Sequence, residues 1–288
     1  MTVVPILGAG SSMADYKIGF KWWALIIAVV FVISELVCVA CVPERPVDCN
    51  EKPGKISDMF KALFKNDQAM TVVVSIILVY TSLNICGNLV LYFFRFDVGN
   101  EGAYSIFAAV AFAAQVLVMM VIPLLRKRFS KSQLFISGFI IQIAGFAVIL
   151  IMAFAKLYTP QSWYILCLPG ILIYLGYGML NVIMTIFLSD SVDYGEVMNG
   201  TREESVIFSM QTFTVKLASG VAVFLAGLVV DWIHLDTAAA VQTQDTLDAL
   251  RMWMTIPSVI LLIVGIFVFK RFYKLDDTRM EEIKSKLN

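Results

Sequence analysis

The sequence predicts an all-α membrane protein with seven transmembrane helices. Hydrophobic residues make up 59% of the 288 residues and charged residues only 15%, whereas a soluble globular domain carries about 25% charged residues. The mean hydropathy of +0.82 reflects apolar runs of about 20 residues or more, long enough to cross a hydrocarbon core of ~30 Å. Length and unbroken apolarity define these runs, because a wholly buried helix shows little amphipathic periodicity. The predicted spans are approximately 22–43, 69–94, 103–125, 133–154, 163–188, 207–232 and 252–270.

Lysine and arginine residues near the span ends predict the orientation. Sixteen of them, including Arg126 and Lys131, lie in loops on one side or in the C-terminal tail, and five lie on the other side. The bias alternates correctly across all seven spans. Because loops rich in lysine and arginine stay in the cytoplasm, we expect the N-terminus outside and the C-terminus in the cytoplasm. The expected location is the cell (inner or plasma) membrane.

The pattern of spans and linkers predicts the domain organisation. The linker after the first span is broken by prolines and then reads KISDMFKALFK, with apolar residues on one helical face and lysines opposite, as in a helix lying on a membrane surface. Such a linker is expected between two membrane bundles. The predicted parts are an outer segment 1–21, the last helix 22–43 of an otherwise missing N-terminal bundle, the cytoplasmic linker 44–68, a six-helix bundle 69–272 and a cytoplasmic tail 273–288.

Composition argues against several classes of function. The formal net charge is zero, which gives no sign of a nucleic-acid partner. His234 is the single histidine, and the pair Cys38 and Cys41 has no second pair beside it. Buried apolar packing is the common role for such cysteines. We therefore predict neither an enzyme nor a metal or cofactor site.

Polar side chains recur on one face of three spans. Interhelical hydrogen bonds explain such rows in any bundle, but one row contains Lys216, about ten residues inside its span and near the midplane of a ~30 Å core. A lysine at that depth is expected to face the bundle interior or a wet cavity. The rows therefore favour a polar cavity. They are Tyr80, Asn84, Asn88 and Tyr92; Tyr174, Tyr177, Asn181 and Thr185; and Ser209, Thr212, Lys216 and Ser219.

The segment LSDSVDYGEVMNGTREESVIFSMQTFTVK, residues 188–216, connects the fifth and sixth spans through a polar, acidic turn. Asp190, Asp193 and Glu196 are three residues apart and share one helical face, and Arg202 follows. Surface ion pairs are individually worth less than ~1 kcal/mol. A network made in only one conformation can nevertheless bias a two-state equilibrium. The alternative interpretation is a solvated turn.

This segment closely resembles the signature of the glycoside–pentoside–hexuronide:cation symporters, the melibiose permease group of the major facilitator superfamily. In that family an A/S-D-x-V-D/E-Y-G-E motif ends the tenth helix, an arginine follows the glutamate by six residues, and a lysine lies in the eleventh helix. The matching positions here are Asp190, Asp193, Glu196, Arg202 and Lys216. The chain therefore resembles helices 6–12 of such a transporter.

The resemblance implies a sugar or glycoside symporter that is coupled to Na⁺ or H⁺ and works by alternating access. Asp190, Asp193, Glu196 and Arg202 would belong to the cytoplasmic gate. Val197 and Met198, however, replace an aromatic and basic pair found in many members. The substrate and cation cavity would contain Lys216, Gln211 and Thr212, and the polar rows add Asn84, Asn88, Tyr177 and Asn181.

The expected partners are the sugar, the coupling cation, the lipid bilayer and the N-terminal bundle. In the family that bundle carries the acidic cation ligands and the main sugar-binding aspartates. An alternative is a seven-helix membrane receptor or photoreceptor with no transport activity. The span count fits this alternative, but Lys216 lies in the sixth span rather than the last.

Overall fold

The computed structural model describes residues 13–41, 64–200, 204–239 and 241–287. The chain separates into two compact units, Met1–Gly54 and Lys55–Asn288. Seven helices of the described residues are long and apolar enough to cross a membrane, which confirms the predicted fold class. The predicted linker helix KISDMFKALFK lies almost entirely outside the described residues, and so does Arg202.

The first unit contains helix α1, Met13–Cys41. In the second unit, α2 continues into a π-helical turn at Phe93–Asp97, and α5 follows a 3₁₀ turn at Trp163–Leu166. The helices of this unit are α2 (Asp67–Tyr92), α3 (Ala103–Leu125), α4 (Lys131–Phe154), α5 (Cys167–Asn199), α6 (Glu204–Trp232), α7 (Gln244–Phe272) and α8 (Asp277–Leu287). We call the end of this unit that contains residues 64–68, 126–131 and 190–200 the inner end, after the predicted orientation, and the opposite end the outer end.

Three predicted span boundaries are wrong because the helices continue through polar sequence. The first span was expected to begin at residue 22, but α1 begins at Met13. The fifth span was expected to end at residue 188, but α5 extends to Asn199. It stops at Gly200, whose φ of 73° is left-handed and whose N–H bonds the carbonyl of Glu196 at 2.9 Å, a common helix ending. The acidic motif is therefore helical rather than a turn. The seventh span begins at Gln244 instead of residue 252, since Thr243 caps α7 by accepting from the N–H of Thr246.

Helix α2 lies at the centre of the second unit and packs against α5, α6 and α7. In its apolar segment 61% of the residues are buried, compared with 28% for α3 and 28% for α6. Those two helices therefore leave most of their apolar surface open to lipid or to a partner.

Close backbone approach joins α4 to α5. A Cβ atom on Gly176 would lie 2.6 Å from the carbonyl oxygen of Gly138 and from the backbone nitrogen of Gln142, which no side chain tolerates without movement. Small residues of this kind let membrane helices pack closely. This contact holds the outer half of α5 against the middle of α4, and the acidic motif lies further along α5, at the inner end.

Candidate functional site

The polar rows of α2 and α5 meet inside the second unit. The amide of Asn181 donates to the hydroxyl oxygen of Tyr80 at 2.6 Å. The rings of Tyr80 and Tyr177 pack edge to face with centroids 5.5 Å apart. The structure thus brings together two rows that the sequence related only by periodicity.

Asn84 and Asn88 continue the α2 row towards the outer end. Each donates its side-chain amide to the carbonyl four residues earlier, at 2.7 Å in both cases. Among the described residues, nothing donates to their side-chain carbonyl oxygens. Both side chains are half-buried, so these oxygens are available to a hydroxyl-bearing ligand.

The third row lies on α6, which packs against α2. Thr212 and Lys216 are four residues apart, share a helical face and are both exposed. Within the part of the chain that the structure describes, Lys216 makes no hydrogen bond or ion pair. Gln211 donates to the hydroxyl of Thr185 on α5 at 3.4 Å. Lys216 thus presents a charge that the described residues of the second unit do not neutralise.

Charged residues at the inner end form a cluster that sequence reasoning missed. Lys131 pairs with Asp190, and each of these side chains is only 7% exposed. Lys131 also lies 3.4 Å from the carboxylate of Asp277, which in turn lies 3.3 Å from Arg126. We call Arg126, Lys131, Asp190 and Asp277 the inner cluster. It joins the start of α4, the acidic motif of α5 and the start of α8.

Local structure explains how Lys131 reaches this place. Ser130 and Gln133 form a capping box at the start of α4, which makes Lys131 the first helical residue. A positive charge at a helix N-terminus is unfavourable by itself, and the carboxylates of Asp190 and Asp277 compensate for it. A serine followed three residues later by glutamine is a recognisable signal for this helix start, but it does not reveal the partner.

The electrostatics of Asp277 follow from its neighbours. Partial burial works to raise the pKa of this carboxyl, but the hydrogen bond from Arg126 and the charges of Arg126 and Lys131 outweigh it and lower the pKa below its usual value. The nearby Tyr273 is half-buried, and its hydroxyl oxygen is buried. Its burial, together with the charges of Asp190 and Asp277, raises the pKa of its hydroxyl, which therefore stays protonated.

The structure describes three of the four predicted gate residues, and it gives Asp190 a different environment from Asp193 and Glu196. Asp190 is buried in the inner cluster, so its partner is inside the second unit rather than across a moving interface. Asp193 and Glu196 are half-buried and both have interaction partners. Arg202 lies outside the described residues. Among the described residues there is no group of three or more His, Cys, Asp or Glu side chains that could hold a metal ion.

Several relatives are similar to this chain. A raffinose carrier protein of Pediococcus pentosaceus is 23% identical over 100% of the chain and 44% of its own length. An isoprimeverose transporter of Lactiplantibacillus pentosus is 25% identical over 96% of the chain and 56% of its own length. A lactose permease of Lactobacillus helveticus is 21% identical over 93% of the chain and 42% of its own length. The chain thus spans about half the length of the curated relatives it matches.

The family model described as MFS/sugar transport protein matches residues 1–277. This match agrees with the resemblance to melibiose permease-like symporters and confirms the expectation of a transport-family protein rather than an enzyme. It also favours a transporter over the seven-helix receptor. Because the match covers nearly the whole sequence, the chain belongs to the MFS/sugar transport protein family.

Proposed function

We propose that the protein forms the C-terminal bundle, with the preceding helix, of a cation-coupled sugar or glycoside symporter. The coupling ion is Na⁺ or H⁺, and the location is the cell membrane with the N-terminus outside. The observation that carries the proposal is the junction of the α2 and α5 polar rows, where Asn181 bonds Tyr80 at 2.6 Å. Relatives named as carriers of raffinose, isoprimeverose and lactose support the substrate class.

The polar rows suit a sugar chemically. Sugars present many hydroxyl groups, and each neutral hydrogen bond contributes only about 1 kcal/mol net. The free carbonyl oxygens of Asn84 and Asn88 accept from such hydroxyls. The ammonium of Lys216 donates to sugar oxygens or acts as a fixed positive charge near the cation. Gln211, Thr212 and Tyr177 add further polar groups in the same proposed cavity.

The second part of the proposal concerns the inner end. Asp193, Glu196 and Arg202 form the part of the cytoplasmic gate that contacts the N-terminal bundle. Asp190 instead anchors the acidic motif to α4 through Lys131. A gate built this way breaks only its inter-bundle contacts when it opens, while the inner cluster keeps α5 in place.

The third part concerns the partner. The chain spans about half the length of its relatives, and α3 and α6 leave most of their apolar segments unburied. We propose that an N-terminal helical bundle completes the cavity against these helices and supplies the main cation ligands. The partner is encoded either in the same reading frame or by a separate chain.

Uptake in cells tests this function. A strain without endogenous sugar transport would express the chain together with a five-helix N-terminal bundle from a related symporter, and each half alone would serve as control. The expected result is uptake of a radiolabelled galactoside or pentoside only when both halves are present, with stimulation by a Na⁺ gradient or an H⁺ gradient. Uptake that is stimulated by neither the Na⁺ gradient nor the H⁺ gradient would contradict cation coupling. Binding of no sugar by the combined halves would contradict the proposed function as a whole.

A further inference from the structure

A second buried charge cluster lies at the outer end, away from the proposed cavity. Arg251 of α7 donates through Nε and Nη2 to the two carboxylate oxygens of Asp97, at 2.7 and 2.6 Å, and through Nη1 to Asp248 at 2.7 Å. Tyr158, in the loop between α4 and α5, donates its hydroxyl to Asp97 at 2.7 Å. We call Asp97, Tyr158, Asp248 and Arg251 the outer clamp.

The Arg251–Asp97 pair at the centre of the outer clamp is sealed from solvent, whereas the side chain of Asp248 at its edge is 39% exposed. The side chains of Arg251 and Asp97 are 3% and 4% exposed, and the guanidinium carbon lies 5.8 Å from the ring centroid of Phe154. Burial, reinforced by the Asp97 carboxylate, raises the pKa of Tyr158, which therefore remains a hydrogen-bond donor. A buried bidentate pair with its remaining oxygens satisfied has one well-defined geometry.

The backbone of α2 is adapted to this contact. The turn Phe93–Asp97 is π-helical, and the N–H of Val98 bonds the carbonyl of Phe93 at 3.0 Å. A π-turn adds a residue to the helical turn and is often found at functional sites. The extra residue changes the direction in which Asp97 points relative to a regular helix, and the carboxylate meets α7.

The clamp is the outermost of three polar connections between α2 and α7. At the inner end, Gln68 donates to the carbonyl of Phe272, the last residue of α7, at 3.4 Å and accepts from the N–H of Lys274, just after that helix, at 2.8 Å. In the middle, the hydroxyls of Ser82 and Ser258 donate to each other's backbone carbonyls at 3.1 and 2.8 Å. The two helices are thus connected at both ends and in the centre.

Helix α6 differs from this pair. The hydroxyls of Ser209, Thr212 and Ser219 all donate to carbonyls of their own helix. Among the described residues, the α6 row that carries Lys216 therefore lacks the polar connections to α2 that α7 has.

We propose that Arg251 is a positioning residue which, through Asp97, makes α2 and α7 one rigid pair and so holds the α2 polar row at a set depth and rotation. Movements within this bundle then occur between the pair and α6, and the outer half of α2 does not bend away from α7. The importance of this positioning for transport rests on the proposed function.

Hydrogen exchange and thiol labelling test the proposal without any sugar. The full chain in lipid nanodiscs would be compared as wild type, D97N and R251Q, with R95Q as matched control, because Arg95 lies on the same π-turn but its pair with Glu101 is exposed. A reporter cysteine, N88C, would be introduced after replacement of the five native cysteines. Its labelling by a water-soluble maleimide reports the position of the α2 row.

The expected result for R251Q is amide exchange faster by on the order of 10-fold at residues 93–100, since exchange reports local opening, together with a several-fold change in N88C labelling. R95Q should match wild type in both. A change confined to residues 93–100 would overturn the proposal, because the clamp would then be a local brace, and so would an R251Q result equal to R95Q.

If R251Q does not fold, D97N decides by the same criteria, since Arg251 then keeps its bond to Asp248. Parallel uptake measurements separate the two ideas. If the wild-type chain supports no sugar uptake, the proposed function is wrong. The hydrogen-exchange and labelling results would still test the positioning role of Arg251 independently.

Discussion

Lys131 and Asp190 form an ion pair between the first turn of α4 and the acidic motif of α5, with each side chain only 7% exposed. Asp277 adds a second carboxylate 3.4 Å from the same ammonium. The first acidic residue of the motif therefore has an anchoring place within one bundle. The gating role that we propose for the motif falls to Asp193 and Glu196.

Breaking the Lys131–Asp190 pair should destabilise the protein. K131M or D190N leaves one buried charge without its main partner, which typically costs about 3–5 kcal/mol. The double variant K131M/D190N should lose much less than the sum of the K131M and D190N losses, because it removes both charges of the pair. Thermal unfolding in detergent measures this, with the exposed Lys127 changed to Met as control. Additive losses in the double variant would contradict a direct pair.

Removing the charge of Lys216 should strongly reduce coupled uptake and leave folding intact. The side chain is exposed and makes no bond within the described residues, so K216A should change the unfolding temperature little. We expect coupled uptake in the completed transporter to fall by at least about 10-fold, the loss expected when a hydrogen bond to a charged group is removed. K216R should retain part of it. Unchanged uptake and sugar affinity in K216A would exclude Lys216 from the cavity.

Removing the Tyr80 hydroxyl tests the junction of the polar rows. Y80F deletes the acceptor of the 2.6 Å bond from Asn181 and frees that amide to rotate. The expected effect is a rise in the KM for sugar of a few-fold, since one hydrogen bond contributes about 1 kcal/mol, with little change in stability. The exposed Tyr164 changed to Phe is the control. Equal KM values for Y80F and wild type would place the junction outside the sugar site.

Gly176 should tolerate no side chain. Its Cβ would lie 2.6 Å from two backbone atoms of α4, so G176A should cost about 1–3 kcal/mol, as overpacking does. Gly87 and Gly220 have nothing within 4 Å of a built Cβ. G87A and G220A should be neutral or stabilising by about 0.5–1 kcal/mol, because alanine is the better helix former. Unfolding temperatures of the three variants provide the comparison.

The attachment of α8 should weaken in acid. Since the folded-state pKa of Asp277 is below the ordinary value of 3.8, its contribution to stability is fully present above that value and is lost as the pH falls through the lowered pKa. The side chain is 38% exposed, so the contribution is below ~1 kcal/mol. Hydrogen exchange of α8 between pH 7 and 3, corrected for intrinsic rates, should show this acid loosening.

Two variants control that measurement. D277N should already show the loosened α8 at neutral pH, and its exchange should depend little on pH. E281Q changes an exposed carboxylate on the same helix and should behave as wild type. An E281Q profile equal to that of D277N would mean that the general charge of α8, rather than Asp277, governs the response.

The sequence was sufficient for the number of spans and for the family. Apolar runs of this length have one stable environment, a lipid bilayer, and the motif around Asp190 is long and specific. Prediction from the sequence was less accurate for the positions of the helix ends. Hydropathy detects the membrane core but not where a helix stops, so the continuation of α5 to Asn199 and the start of α7 at Gln244 were missed.

What the sequence determined alone is therefore the all-helical membrane architecture and the periodic polar rows, because both depend on local composition and on the 3.6-residue repeat. Only the tertiary structure decided which residues meet. Lys131 and its partner Asp190 are 59 residues apart in the sequence, and Asp97 and its partner Arg251 are 154 residues apart. The sequence around a charged residue does not indicate which distant residue it pairs with, because the pairing energy depends on three-dimensional distance and burial.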